Sequence, residues 1–483
     1  MIINMKYETV IGLEVHVELA TKSKIFCSCS AHSFGTEPNM HVCPACCGMP
    51  GMLPVVNKRV VDFGMKAGMM LNCHINRVTT FDKKSYYYPD LPAAYQTTQW
   101  FAPVAVNGLV EIETSKGKKN VRIKQIHMEE DAGKLVHDIR EDTTHVDFNR
   151  TSVPLIEIVS QPDLSSAEDV EVYLERLKML LRYAKVAECE MSHGTMRCDV
   201  NLSVRPEGSD KLGVRTEMKN MNSIEAIKRA IEYETARHID AIENGTEVLV
   251  QETRRWDDIK GKSYAMRSKE TAGDYRYFPD PNVMPVVIDD QWYETVQESL
   301  PEFPEVKKEK YVGYGLSDYD AEQITKSIAL CECFEAAYAV CGNAKDAANW
   351  MISEIMSILN ARKMTYDMLD INGKALGELI LLVSSGKVGR ANGKKILAEM
   401  FEDSSIEPEA YAKANGLIVS NDTSLIEQKV AEAIAADPRA VNDYKNGKEK
   451  AIMSIFGRCM KELKGNCDPQ VLKTILIEKI NSL

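Results

Sequence analysis

The sequence predicts an α+β protein: a half-buried antiparallel sheet fills the N-terminal part, and helices fill the remainder. Strand-like segments in the first half alternate apolar and polar residues with period two, as a sheet with one buried face requires. Beyond Leu300-Pro301-Glu302-Phe303-Pro304-Glu305 and its Lys-rich continuation the period changes, and nearly everything reads as helix. The polar side of the strands gathers Glu, His, Asp, Asn and Arg. An ordinary wet face would mix Lys, Thr, Ser and Gln. The set suits a divalent cation with phosphates.

Along the chain, Tyr7–Leu19 is the first strand, with Leu13, Val15, Val17 and Leu19 on one side and Glu14, His16 and Glu18 on the other. Asn107-Gly108 reads as a turn between strands. Ser165-Ser166-Ala167-Glu168 reads as a capping box opening a helix with Val170, Leu174, Leu177 and Leu181 on one face. In Thr195–Arg205, Met196, Cys198, Val200, Leu202 and Val204 alternate with Arg197, Asp199, Asn201, Ser203 and Arg205. Val214, Thr216 and Met218 alternate with Arg215, Glu217 and Lys219. A second helix starts near Asn222, carries Ile224, Ile227, Ile231 and Ile242, and stops at Asn244-Gly245. After the connector, Ala347–Leu359 is one helix, Gly377–Ser384 begins another, and the pattern breaks around Asp403–Glu409. Gly447-Lys448-Glu449-Lys450-Ala451 opens an amphipathic stretch. The expected division is 1–293 for the sheet domain, 294–408 for a helical domain and 409–483 for a small helical tail.

A length of 483 residues allows two to four domains, and 44% hydrophobic residues is ordinary for a soluble protein. No apolar run reaches the roughly 18 residues of a membrane helix. Met1–Glu8 lacks the features of a signal peptide, so a cytoplasmic location is expected. A net charge of −12 argues against non-specific nucleic-acid coating. The segment from Val441 to Leu483 nonetheless holds eight Lys/Arg against five Asp/Glu, a local basic balance. The 13 cysteines form an odd set in a long chain without an export signal, which does not read as a disulfide framework. Cys198, Cys331 and Cys341 are expected as buried small hydrophobes.

Four motifs carry chemistry. Cys27-Ser28-Cys29 is followed, after thirteen residues, by Cys43-Pro44-Ala45-Cys46, with Gly48 and Gly51 suited to a knuckle turn. Four thiolates from two close pairs are the usual supply for a structural zinc, with buried or redox thiols as the alternative and Cys47 as an alternative fourth ligand. Iron also accepts four thiolates. His127-Met128-Glu129-Glu130-Asp131-Ala132-Gly133-Lys134 crowds three acids at a strand end, which a cation relieves. With Glu14, His16 and Glu157, a carboxylate inside the apolar run Pro154 to Val159, this points to Mg²⁺ rather than a solvated turn. Arg197, Arg205, Arg215 and Arg276, the last within Asp274-Tyr275-Arg276-Tyr277-Phe278-Pro279, are candidates for phosphate contact or for salt bridges to the same acids. Tyr86, Tyr87 and Tyr88 would stack on a base, line a passage or fill a core. There is no Walker A sequence, kinase glycine loop, G-x-S-x-G elbow or Cys–His glutaminase pair, so any nucleotide must be held by the sheet face, and if the reaction needs ammonia, this chain is not expected to make it.

Val10 to Leu19, His127 to Lys134, Pro154 to Glu157, Arg197 to Asn201 and Asp274 to Pro279 together resemble the GatB family of aspartyl/glutamyl-tRNA amidotransferase subunits, in order over essentially the whole chain. The resemblance implies an N-terminal cradle similar to the glutamine synthetase catalytic fold, a helical domain and a YqeY-like tail that holds tRNA. It implies a heterotrimer with an amidase-type subunit, which releases ammonia from glutamine, and with a small third subunit. The chain would use ATP and Mg²⁺ to phosphorylate the side-chain carboxylate of misacylated Glu-tRNA(Gln) or Asp-tRNA(Asn), and ammonia would displace the phosphate. By similarity His16, Glu130 and Glu157 would hold a resident Mg²⁺, and Glu14, Glu129 and Glu217 the metal arriving with ATP. Asp199 and Asn201 would lie beside them, Arg205, Arg215 and Arg276 would contact phosphate, and Lys84 would line the ammonia route. Zinc cysteines occur in part of the family, and here they would be Cys27, Cys29, Cys43 and Cys46. A stand-alone ligase of the glutamine synthetase type and a non-catalytic tRNA-binding scaffold are the competing readings. A tail for RNA argues against the first, and the Glu14/His16/Glu130/Glu157 set argues against the second.

Overall fold

The computed structural model describes residues 6–138, 142–268, 275–419, 423–446, 448–463, 467 and 469–482. Met1 to Met5, Asp274 and Gly447 lie outside the described residues. The chain forms two compact units, Met1–Pro301 and Glu302–Leu483, divided within the proline-rich connector.

The first unit is organised by a nine-stranded sheet. From one edge to the other its strands are Lys262–Ser268, Glu252–Asp257, Thr216–Lys219, Met196–Pro206, Tyr7–Glu18, Pro154–Ser160, Gly117–Glu130, Ala105–Thr114 and His74–Ile75. The first strand in sequence is thus the middle of the sheet. Among the described residues all pairings of the sheet are antiparallel except one, a correction to the purely antiparallel expectation. Thr216–Lys219 and Glu252–Asp257 run parallel because the helix Ile224–Asn244 lies between them and returns the chain to the same end.

The apolar side of the strands is the core. Leu13, Val15, Val17, Met196, Cys198, Val200 and Leu202 are all buried, as are Val170, Leu174, Leu177 and Leu181 of the helix Ala167–Tyr183. Burying each such side chain contributes roughly 1.5–3 kcal/mol. The cap of that helix lies one residue later than the sequence suggests. Ser166 accepts from the Asp169 amide, Asp169 accepts from Ser165, and Glu168 turns away to Ser115. The helix Ile224–Asn244 is capped by Ser223 and ends at Gly245 (φ 62°), as expected. Ile242, however, is exposed, and the face towards the sheet buries Glu234 and His238. Asn107-Gly108 is no turn. It lies inside Ala105–Thr114, where Asn107 takes φ 54° and Gly108 leaves room for Cys73, whose Sγ an added Cβ would strike.

The second unit is helical. Ala347–Leu359 proves to be a helix whose middle, Trp350–Ile355, is π-helical. Gly373–Ser384 packs against Ile328–Cys341, where Gly373 and Gly377 let the backbones approach. Cys331 is buried as expected, whereas Cys341 is only partly so. Pro408–Ala414 packs against Gly373–Ser384. A separate cluster, including Ile426, Val430, Ile455, Leu472, Leu476 and Ile480, forms the core of the tail.

Candidate active site: two acid clusters on one sheet face

Directly paired residues of neighbouring strands share a face, so register assembles the site. His16 is paired with Glu157 on one side and Arg197 on the other, and Glu157 is paired with His127. Glu14 is paired with Asp199, and Asn201 with Glu217. Two clusters result, His16/Glu129/Glu157 and Glu14/Asp199/Glu217, and in each the ligand atoms lie within 4.8 Å of one another.

In the first, His16 Nε2 is 3.4 Å from Glu157 Oε2 and 3.5 Å from Glu129 Oε1. His127 Nε2 is 2.8 Å from the same Glu157 oxygen, and its Nδ1 donates to the Gln99 carbonyl at 2.9 Å. Burial opposes protonation of both histidines, but Glu157, helped by Glu129, outweighs it and raises each to about 9. Burial likewise opposes the Glu157 charge, and the two histidines overcome it and hold the carboxyl well below its ordinary range. The three groups titrate as a unit. Thr98 donates to Glu129 at 3.1 Å.

In the second cluster, Asn201 Nδ2 donates to Glu14 at 3.0 Å and Thr253 Oγ1 donates to Glu217 at 2.8 Å. Lys219 pairs with Asp199 and lies 3.5 Å from Glu217. Its ammonium stays charged despite burial because Asp199 and Glu217 raise its pKa.

The side chains group differently from the expected ligand sets. Glu129, not Glu130, stands beside His16 and Glu157, because consecutive strand residues point to opposite faces. Glu130 turns the other way, accepting from the Thr97 amide at 2.9 Å and Ser152 Oγ at 2.5 Å, and burial raises its pKa. Asp199, not Glu129, joins Glu14 and Glu217. The arginines are dispersed. Arg197 pairs with Asp131 at 2.7 Å, and Arg205 with Glu8 at 2.5 Å, six residues along the strand from Asp199. Arg215 is exposed just ahead of its strand. Arg276 is exposed in a left-handed turn (φ 46°).

It is the tyrosines beside Arg276 that reach the site. Burial and then the Glu157 and Glu129 charges raise the Tyr277 phenol, and its ring stacks on Trp100 with centroids 4.4 Å apart. Tyr275 meets Tyr86 edge-on at 5.9 Å, and Lys84 Nζ lies 5.0 Å from the Tyr275 ring and 5.4 Å from Tyr86. An aromatic wall with one lysine thus borders the first cluster. Tyr87 and Tyr88 are exposed.

The four predicted thiols converge: the sulfurs of Cys27, Cys29, Cys43 and Cys46 lie within 4.8 Å of one another, and Cys47 is outside the set. The Cys43–Cys46 separation of 3.9 Å is near the tetrahedral edge of about 3.8 Å for 2.3 Å metal–sulfur bonds. A hydrogen bond from Cys27, with the amide of Cys43 and the charge of buried Lys24, lowers Cys46 to about 4, while burial pushes Cys29 up to about 11. Gly48 (φ 64°) makes the turn against Pro92 and Ala93.

Comparison with known proteins agrees with this architecture. The GatB/GatE catalytic domain family matches residues 9–294, and the GatB domain with the YqeY designation matches 332–480. The GatB-type aspartyl/glutamyl-tRNA(Asn/Gln) amidotransferase subunit of Caldicellulosiruptor bescii is 50% identical over 483 residues, 99% of this chain and 100% of the relative. The chain belongs to the GatB family. The GatB proteins of Agathobacter rectalis (49% identical over 98% of this chain and 99% of theirs) and Clostridium tetani (45% over 99% and 100%) match equally completely. A member of the GatB family is a component of a tRNA amidotransferase, a ligase of translation.

His127 and Lys219 stand in the expected motifs without a role of their own there, and Thr98 and Thr253 stand in none. The two-residue spacing of His127 and Glu129 was a usable signal for the first. The others contribute through cross-strand contacts that no local pattern records.

Proposed function

We propose that the polar face is where ATP phosphorylates the side-chain carboxylate of misacylated Glu-tRNA(Gln) or Asp-tRNA(Asn), and where ammonia then displaces phosphate. The observation that carries this is the pair of acid clusters on adjoining cross-strand rows, one holding an imidazole and both lined by fixed carboxylates. A carboxylate is a poor electrophile, and an acyl phosphate gives it a good leaving group. The donor sets fit Mg²⁺: hard oxygens from Glu14, Asp199 and Glu217, and His16 with Glu129 and Glu157. When bound, Mg²⁺ neutralises charge on the transferring phosphoryl group. Asn201, Thr253, Thr98 and His127 fix the carboxylates by hydrogen bonds and an ion pair, so that little reorganisation accompanies the reaction. Lys219 shields the second cluster. Trp100, Tyr86, Tyr275 and Tyr277 exclude water from an intermediate that water would destroy. Lys84, against the rings of Tyr86 and Tyr275, suits an ammonia route.

The four-cysteine set fits a structural zinc closing the knuckle at residues 27–47, holding a loop and doing no chemistry. The cradle, helical and tail regions divide near 293 and 408, with the tail holding tRNA. In the heterotrimer the chain works with an amidase-type subunit and with a small third subunit, and the complex is cytoplasmic. No helix among the described residues is long and apolar enough to cross a membrane, which fits that location. Neither the scaffold nor the stand-alone ligase is favoured: the first has no use for two ligand clusters, and the second none for a match over the tail.

The test is ATP cleavage by the chain co-expressed with the amidase-type and small subunits, with and without Glu-tRNA(Gln), in Mg²⁺, for wild type and Glu157→Ala. Cleavage that requires charged tRNA and disappears in the variant supports the proposal. Cleavage indifferent to tRNA, or intact in the variant, refutes it.

A further inference from the structure

The paired row that holds Glu14 and Asp199 does not end at Lys219. Lys219 is paired with Arg255, and Arg255 with Tyr264, so acid, acid, cation, cation and aromatic ring succeed one another across five strands. Arg254 and Trp256 turn to the helix behind the sheet, where Arg254 Nε is 3.3 Å from Glu234 and Trp256 meets Tyr233. Arg255 therefore points to the clustered face. Arg255 is exposed and, among the described residues, makes no ion pair. Among the arginines of this face whose side chains are described, Arg197 is engaged with Asp131 and Arg205 with Glu8, and Arg215 stands ahead of its strand. The Arg255 guanidinium and the Lys260 ammonium lie 5.8 and 5.4 Å from the Tyr264 ring, which is half-buried. The tyrosines at the opposite end are committed to one another and to Trp100.

We infer that the nucleotide lies along this row with a fixed direction: phosphates at Lys219 and Arg255 beside Glu14, Asp199 and Glu217, and the base on Tyr264. This rests on the ATP reading above and adds its orientation. Asp199 and Tyr264 are three strand spacings apart, about 14 Å, a span suited to an extended nucleoside triphosphate. Among the described residues Arg255 has no carboxylate partner to give up, and a guanidinium so placed forks to phosphate oxygens. A half-exposed ring supplies a stacking platform tolerant of base identity. The direction also leaves the His16/Glu129/Glu157 end, with its aromatic wall and Lys84, to the acyl group and ammonia. The γ-phosphoryl group then lies between donor and acceptor.

The test compares binding of Mg²⁺–AMPPNP and Mg²⁺–tripolyphosphate to the assembled complex by calorimetry. Tyr264→Ala is expected to weaken AMPPNP about tenfold and to leave tripolyphosphate unchanged, while Tyr264→Phe binds both as wild type does. Arg255→Ala is expected to weaken both ligands by a similar factor of about ten. Wild-type AMPPNP affinity in Tyr264→Ala, or an equal loss of both ligands, overturns the inference. Loss of AMPPNP alone in Tyr86→Ala would place the base at the opposite end and also overturn it. A wild-type complex that binds no AMPPNP overturns the ATP reading itself, which separates the two failures.

Discussion

Removing the charge of Glu157 tests the centre of the first cluster most directly. One carboxylate oxygen serves two imidazoles, 2.8 Å from His127 and 3.4 Å from His16. Both histidines stand at about 9 against an ordinary 6.5, although burial alone would take them below 6.5. A rise of that size corresponds to about 3 kcal/mol of preference for the protonated ring. The folded value is raised, so this contribution is fully present below pH 6.5 and is lost as pH rises through about 9. Glu157→Gln keeps the shape and removes the charge. His127 should then fall by at least about two units, to its ordinary value or below, because Gln99 and the more distant Glu129 are what remain to oppose burial. His16 should fall less, since Glu129 stays 3.5 Å away. The assay is titration of ¹³C-labelled imidazoles by NMR in the chelator-treated complex. A His127 value still above about 8 in the variant would refute the argument.

Three further predictions follow from the same geometry. Glu129→Gln should weaken Mg²⁺ binding, read by calorimetry, by about tenfold or more, whereas Glu130→Gln should leave it within about twofold because its carboxylate faces Thr97 and Ser152. Cys46→Ser should reduce zinc, measured by elemental mass spectrometry on the purified chain, from about one per molecule towards zero, and Cys47→Ser should not. His238, buried on Thr216 and lowered to about 4 by burial and then by Arg237, remains neutral in the fold while the unfolded chain protonates near 6.5. Its contribution is therefore present above pH 6.5 and lost as pH falls through about 4, at a cost of up to about 3 kcal/mol. Urea unfolding of His238→Gln should lack this acid-side loss.

The strands, their polar faces and the family were legible because they are local: alternation records which neighbours share a face, and long motifs need no partner to be read. Alternation put Glu14, His16, Asp199, Asn201 and Glu217 on polar strand faces, and spacing grouped the four cysteines. Which polar groups meet was decided by pairing between strands far apart in the chain. Glu129 and Glu130 are equal in sequence, and only the register of Gly117–Glu130 against Pro154–Ser160 turns Glu129 to His16 and Glu130 to Ser152. The arginines show the same limit. Arg197 and Arg205 were read from charge, and tertiary pairing engages them with Asp131 and Glu8. Arg255, unremarked in sequence, reaches the face because a parallel strand pair places it next to Lys219. Composition and periodicity determined that this chain has a catalytic-looking sheet face, and a knuckle of four thiols. Tertiary structure alone decided which of these side chains meet, because a cross-strand contact depends on register, which is a property of two distant segments together.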